Sequence, residues 1–130
     1  MRALEFVVPG RPVPKARMTA KGKYTPRAQR TLAYQQKVAI YAKMAGQPLG
    51  SIDVVGFFAV YVCGGNVGDL DNYIKAIKDG VQLAGLVDND RQINEYDAGT
   101  AVYKVGSKAE ERVEVRLRPR EDVADVQAKS

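Results

Sequence analysis

Between Gly68 and Gly85 the apolar residues Leu70, Ile74, Ile77, Val81 and Ala84 recur at steps of four, three, four and three. That spacing lines one face of an α-helix and cannot be carried by a strand, so the segment must pack its stripe against another apolar surface. Gly85 supplies a C-cap, and Gly64-Gly65-Asn66-Val67-Gly68 breaks the chain ahead of the helix. The run before that break, Ile52 to Cys63, is rich in Val, Phe and Tyr and carries no charge after Asp53. It reads as a long strand buried on both faces.

The flanking segments follow the same logic. Ala3 to Val8 reads as a first strand stopped by Pro9-Gly10 and by Pro12-Val13-Pro14. A basic loop (9–30) leads into a helix from Pro26 to Ala45, with Thr25-Pro26 at its start and Leu32, Val38, Ile40, Tyr41 and Met44 as its apolar positions. Ile93 to Val105 and Glu110 to Leu117 read as two further strands joined as a hairpin by Gly106-Ser107-Lys108. In the second of these, Val113, Val115 and Leu117 alternate with charged residues, giving one dry and one wet face, and Pro119 stops it before a polar tail (119–130). The order β-α-β-α-β-β predicts an α+β fold, a two-layer sandwich with two main helices on a mixed β-sheet, in a single domain (1–130).

The chemistry open to such a domain is narrow. There is no histidine, and the single cysteine, Cys63, sits inside an apolar run, so neither a Cys/His zinc site nor a disulfide framework can be built. A reducing cytoplasmic setting is expected; the N-terminus lacks a signal-peptide core, and no apolar run is long enough to span a membrane. The net charge of +5 is unevenly placed. Residues 1–47 hold ten Lys or Arg against one acid, Glu5, and Arg11, Lys15, Arg17, Lys21, Lys23, Arg27 and Arg30 follow one another with no acid among them. That is the footprint of a polyanion-binding surface.

Set against this basic half is Asp69-Leu70-Asp71-Asn72-Tyr73-Ile74-Lys75, with Asp90 further on in Val87-Asp88-Asn89-Asp90-Arg91-Gln92. Asp69 falls at the helix N-cap, and Asp71 and Lys75 are i and i+4 on the face turned away from the apolar stripe. A strand running back beside the Ile52 strand is expected to bring Asp90 near the helix start. Three converging carboxylates make an oxygen-only site suited to Mg²⁺, which keeps waters and takes phosphate oxygens as further ligands. An acidified water would then be the nucleophile, and Lys75 would neutralise developing charge. Capping, helix-surface pairing and an ordinary Asp-Asn-Asp turn account for the same spacing equally well. Calcium-loop and P-loop patterns fail, since Ile74 and Ile93 stand where a calcium loop needs glycine and no Gly-Lys-Ser/Thr follows Gly64-Gly65.

The run Gly68 to Ala76, continued by Asp79-Gly80-Val81, Ala84-Gly85-Leu86 and Asn89-Asp90-Arg91-Gln92-Ile93, resembles the RusA family of Holliday junction resolvases. Gly10-Arg11-Pro12-Val13-Pro14-Lys15-Ala16-Arg17 with Lys23-Tyr24-Thr25-Pro26 is similar to the opening of many relatives, often prophage-borne. The resemblance implies a homodimeric endonuclease, dependent on Mg²⁺ or Mn²⁺, that nicks opposed strands of a four-way DNA junction in recombination or repair. It places Asp69, Asp71 and Asp90 on the metal-binding aspartates and Lys75 on the catalytic lysine, with Asn72 shaping the site and Asp88 an uncertain addition. Arg11, Lys15, Arg17, Lys21, Lys23, Tyr24, Arg27 and Arg30 would contact DNA, and Tyr24 can either stack on an unpaired base or simply pack.

A junction with approximate two-fold symmetry requires two incisions, and one small chain carries one cluster, which argues separately for a C₂ dimer through a strand edge or the first helix. Two alternatives stay open: a non-catalytic nucleic-acid-binding protein, and a metal-dependent nuclease with broader branched-DNA specificity.

Overall fold

The structure, a computed structural model, describes residues 3–16, 25–65 and 67–120. Among the described residues, two α-helices and five strands occur in chain order: β1 (Leu4–Pro9), α1 (Pro26–Ala45), β2 (Val54–Cys63), α2 (Leu70–Leu83), β3 (Ile93–Tyr96), β4 (Ala101–Val105) and β5 (Arg112–Pro119). The strands form one mixed sheet in the order β1-β5-β2-β3, with β4 also paired to β2. The α+β architecture is the expected one, but its C-terminal half is connected differently.

The stretch expected as one strand from Ile93 to Val105 is two, both parallel to β2. Asp97-Ala98-Gly99-Thr100 loops out between them, with Gly99 at φ 94°. The Asp97 N–H donates to the Gly56 carbonyl at 2.8 Å, and the Thr100 hydroxyl accepts from the Phe58 N–H at 3.2 Å. These bonds replace ladder bonds that β2 would otherwise lack there. The expected hairpin is also absent: β5 pairs antiparallel with β2 along its opposite edge and with β1, not with β4. Residues Gly106 to Glu111 therefore cross over the end of β2, where a β4–β5 hairpin would have left the outer edge of β2 unpaired.

Because β2 and β3 are parallel, the chain must cross the sheet between them, and α2 makes that crossing. Its stripe buries Tyr73, Ile74, Ala76, Ile77, Gly80 and Val81, each large apolar side chain contributing on the order of 1.5–3 kcal/mol. The helix ends in a Schellman motif: the Gly85 N–H bonds the Gln82 carbonyl and the Leu86 N–H bonds the Val81 carbonyl, with Gly85 at φ 80°.

In α1 the sequence-derived stripe is corrected. Leu32, Ile40 and Met44 are exposed, and the buried face is Ala28, Thr31, Tyr34, Val38, Ala39 and Ala42. Small residues win that face because α1 packs against both α2 and β1; at the closest approach Gly80 lies against Val38, where an added Cβ would stand 2.6 Å from the valine side chain. The Tyr34 hydroxyl is buried here without a hydrogen-bond partner among the described residues. Burial, and secondarily Tyr73, pushes its pKa well above the ordinary tyrosine value.

Candidate active site

Asp69 holds the N-cap position of α2 in extended geometry, and its backbone carbonyl accepts from the Asn72 and Tyr73 N–H groups. Its side chain makes no capping hydrogen bond and is exposed. Capping therefore does not account for this carboxylate. One turn on, Lys75 Nζ lies 3.0 Å from Asp71 Oδ2, with both side chains more than half exposed. A surface i,i+4 pair of this kind adds at most about 0.5 kcal/mol, so the fold has little need of it. The loop ahead of the helix is fixed by the Gly68 N–H, which donates to the Tyr73 hydroxyl at 3.0 Å.

Asp90 is not beside this pair. It opens a single 3₁₀ turn, Asp90–Gln92, and its N–H donates to Gln82 Oε1 at 3.2 Å, near the last turn of α2. Eleven helical steps lead from Asp71 to Gln82, about 16 Å along the axis. Among the described residues no three His, Cys, Asp or Glu side chains are placed to hold a metal together. The expected convergence within one chain thus fails, for a topological reason: β3 starts level with Val54, at the opposite end of β2 from the loop that feeds α2. A crossover helix necessarily holds the loop that enters it and the loop that leaves it a helix length apart.

The Asp90 turn is rigidly built. Asn89 accepts from the Arg91 N–H, and Gln92 Oε1 accepts from the Asp88 and Asn89 N–H groups. Gln92 Nε2 donates to the Gly50 and Ile52 carbonyls at 2.6 and 2.8 Å, and the Ser51 hydroxyl engages Asp88. Asn89 is therefore the cap of the turn, and Asp88 serves as a tether.

The basic segment divides into committed and uncommitted cations. Arg11 Nη1 reaches Glu111 Oε2 at 2.7 Å and the Cys63 carbonyl at 3.0 Å, while the Cys63 N–H donates to the same carboxylate oxygen. Lys15 Nζ lies 2.7 Å from Asp79 Oδ2. Arg27 and Arg30 are exposed at the start of α1 and face no acid among the described residues. Arg17, Lys21, Lys23 and Tyr24 lie outside the described residues.

The profile of the RusA endodeoxyribonucleases matches residues 9–118, most of the chain, from the last residue of β1 to the penultimate residue of β5. The chain belongs to the RusA endodeoxyribonuclease family. A search of curated proteins returned no match. Among the described residues no helix is long and apolar enough to cross a membrane.

Within this RusA fold, three residues that organise the site went unread in the sequence. Glu111, buried at the crossing over β2, anchors Arg11 and with it the start of the basic segment. Nothing local in its sequence marks it, because its partners Cys63 and Arg11 are 48 and 100 residues away. Gln92 was legible in principle, since Asn89-Asp90-Arg91-Gln92 is a capping box. Gln82 was not, as its contact with Asp90 depends on where the loop returns.

Proposed function

We propose that this chain is a divalent-cation-dependent endonuclease that resolves four-way DNA junctions by paired nicks, each active site being assembled from two chains. The observation that carries this reading is the placement of Asp69, Asp71 and Lys75 at one end of α2 and Asp90 at the other, all outside the core. Two-fold pairing with antiparallel α2 helices sets Asp69 and Asp71 of one chain against Asp90 of the partner subunit, twice over. A two-incision substrate then meets two equivalent sites. Membership of the RusA family supports the nuclease reading.

The donor chemistry of Asp69 and Asp71 fits Mg²⁺ or Mn²⁺, which accept one or two carboxylates and fill the remaining positions with water and phosphate oxygens. Such an ion supplies charge neutralisation and lowers the pKa of the attacking water. The chain's own part is positional. Asp71 holds the Lys75 ammonium beside the scissile phosphate, where it can offset charge building on the non-bridging and leaving oxygens. Arg27 and Arg30 hold neighbouring phosphates, giving affinity that falls with salt. The cytoplasm is where such a substrate is met.

The separation of Asp90 from Asp71 within one chain favours a second reading, a nucleic-acid-binding protein without catalysis. One experiment separates the two: incubation with a synthetic four-way junction, with linear duplex and flap controls, with and without Mg²⁺. Symmetric paired nicks on the junction, lost in Asp71→Asn while gel-shift binding persists, support the nuclease. Binding without nicking supports the second reading, and nicking of every branched substrate points to a broader nuclease.

A further inference from the structure

Between the basic segment, the first turn of α1 and the first turn of α2 lies a cavity of about 420 Å³, with Arg27, Arg30, Pro12, Pro14, Gly68 and Asn72 on its walls. We propose that this cavity takes one nucleotide extruded from the junction crossover, with its phosphate on Arg27 and Arg30 and its base against the prolines, the base edge meeting the Asn72 amide. The proposal rests on the junction-nuclease reading above and adds to it a site for an unstacked base.

The walls are held in place before any ligand arrives. The Lys15 N–H donates to the Asn72 carbonyl at 2.9 Å, which fastens the basic segment to α2. The buried Thr31 hydroxyl accepts from the Ala16 N–H at 3.1 Å and lies 3.2 Å from the Pro14 carbonyl, which fastens the same segment to α1. At Gly68 an added Cβ would be 3.1 Å from Pro14, so these two walls already pack closely against each other. A preformed space loses less ordering entropy when filled.

Charge and shape then select the occupant. Arg11 and Lys15 also line this space, but Glu111 and Asp79 already engage them. Arg27 and Arg30, one turn apart on α1, face no acid among the described residues and are left for an anion. A bare phosphate would leave most of the volume and the apolar surface of Pro12, Val13 and Pro14 unused, whereas the cavity lies in the size range of sites for small organic molecules.

A base supplies a flat apolar face for the prolines and for guanidinium stacking, and an edge for an amide. The Asn72 side chain makes no hydrogen bond within the described residues, and it offers both a donor and an acceptor. Asn72 directly follows Asp71, so the cavity opens at the same end of α2 as the carboxylates. Extrusion costs least where stacking is already interrupted, as at a crossover. This gives the enzyme a reason to prefer junctions over duplex that backbone charge alone cannot provide.

The test uses the full chain, in the absence of divalent cations, with four-way junctions carrying 2-aminopurine at the crossover or, as a control, within an arm. Gel-shift run alongside ensures that every junction is saturated with protein. The wild-type chain is expected to raise crossover fluorescence several-fold and arm fluorescence little. Asn72→Ala, and separately Arg27→Ala with Arg30→Ala, are expected to lose at least half of that rise at saturation, with circular dichroism confirming that they fold. Saturated binding with no rise at the crossover, or an undiminished rise in both variants, overturns the cavity's role and leaves the nuclease reading standing. Failure of the wild-type chain to bind junctions overturns both.

Discussion

Asp71 and Asp90 stand at opposite ends of α2, Asp71 in its first turn and Asp90 hydrogen-bonded through its N–H to Gln82 near the last. A site shared between chains predicts complementation. Homodimers of Asp71→Asn or of Asp90→Asn should each be inactive. A heterodimer containing one chain of each carries both substitutions in one site and neither in the other. It should regain nicking of one strand without paired resolution. Purifying it with two different tags and counting nicked against fully resolved junctions makes the comparison; an inactive heterodimer would mean that each site lies within one chain.

The basic segment predicts two distinct phenotypes. Arg11→Ala leaves the Glu111 carboxylate, whose side chain is only 3 % exposed, without its cation. It should cost about 2 kcal/mol of stability and lower Tm by roughly 8 °C. Arg27→Ala and Arg30→Ala should leave Tm nearly unchanged and weaken junction binding, each flattening the dependence of affinity on salt by about one counterion. Thermal melts and binding titrations over a range of salt distinguish the two classes; equal salt slopes for Arg27→Ala and the unaltered chain would remove Arg27 from the contact set.

The range of each interaction decided whether it was legible in the sequence. Local signals were reliable: Thr25 caps α1 through its side chain at 3.1 Å to the Ala28 N–H, and the Leu70 stripe and Gly85 stop place α2 within a residue or two. The alternation of Val113, Val115 and Leu117 correctly marked the dry face of β5. Pairing partners were not legible, because the turn at Gly106-Ser107-Lys108 suits a hairpin and a crossing over β2 equally. The break at Asp97-Ala98-Gly99 was visible as turn chemistry but masked by the β-forming residues on either side. Asp69, Asp71 and Lys75 could be placed from helical spacing alone. Asp90 could not, since its position depends on the parallel register of β3 with β2.

The contact between the helices at Gly80 predicts that a better helix former will destabilise the protein. Alanine gains close to 1 kcal/mol of helix propensity over glycine. Its Cβ, however, would lie 2.6 Å from Val38 and 2.8 Å from the Gln35 carbonyl, and backbone cannot rotate aside as a long side chain can. Gly80→Ala should therefore lose about 1–3 kcal/mol net in urea unfolding. The companion change Val38→Ala removes the Cγ1 methyl at 2.6 Å but leaves the Cβ, also at 2.6 Å, in place, so it should recover only a small part of that loss in the double variant. No recovery would place the strain at the two atoms that the change leaves in position, the Cβ of residue 38 and the Gln35 carbonyl.

The ion pair between β5 and the loop after β3 predicts a pH dependence of stability. Arg118 grips both oxygens of Asp97, with Nε 3.1 Å from Oδ2 and Nη2 2.9 Å from Oδ1. The Arg118 hydrogen bonds outweigh partial burial and, with the charges of Arg118 and Arg116, hold the Asp97 carboxyl below the usual carboxylate range. A group whose pKa is depressed on folding contributes stability above its unfolded value, near 4, and loses it as pH falls through the lower folded value. Asp97→Asn keeps the backbone bond to Gly56 and removes only the charge. It should cost about 1 kcal/mol at pH 6, and the gap to the unaltered protein should close as pH falls below about 4. Denaturation curves at pH 6 and pH 3 measure this directly; a gap of the same size at both values would assign the loss to the altered side-chain geometry and not to the ion pair.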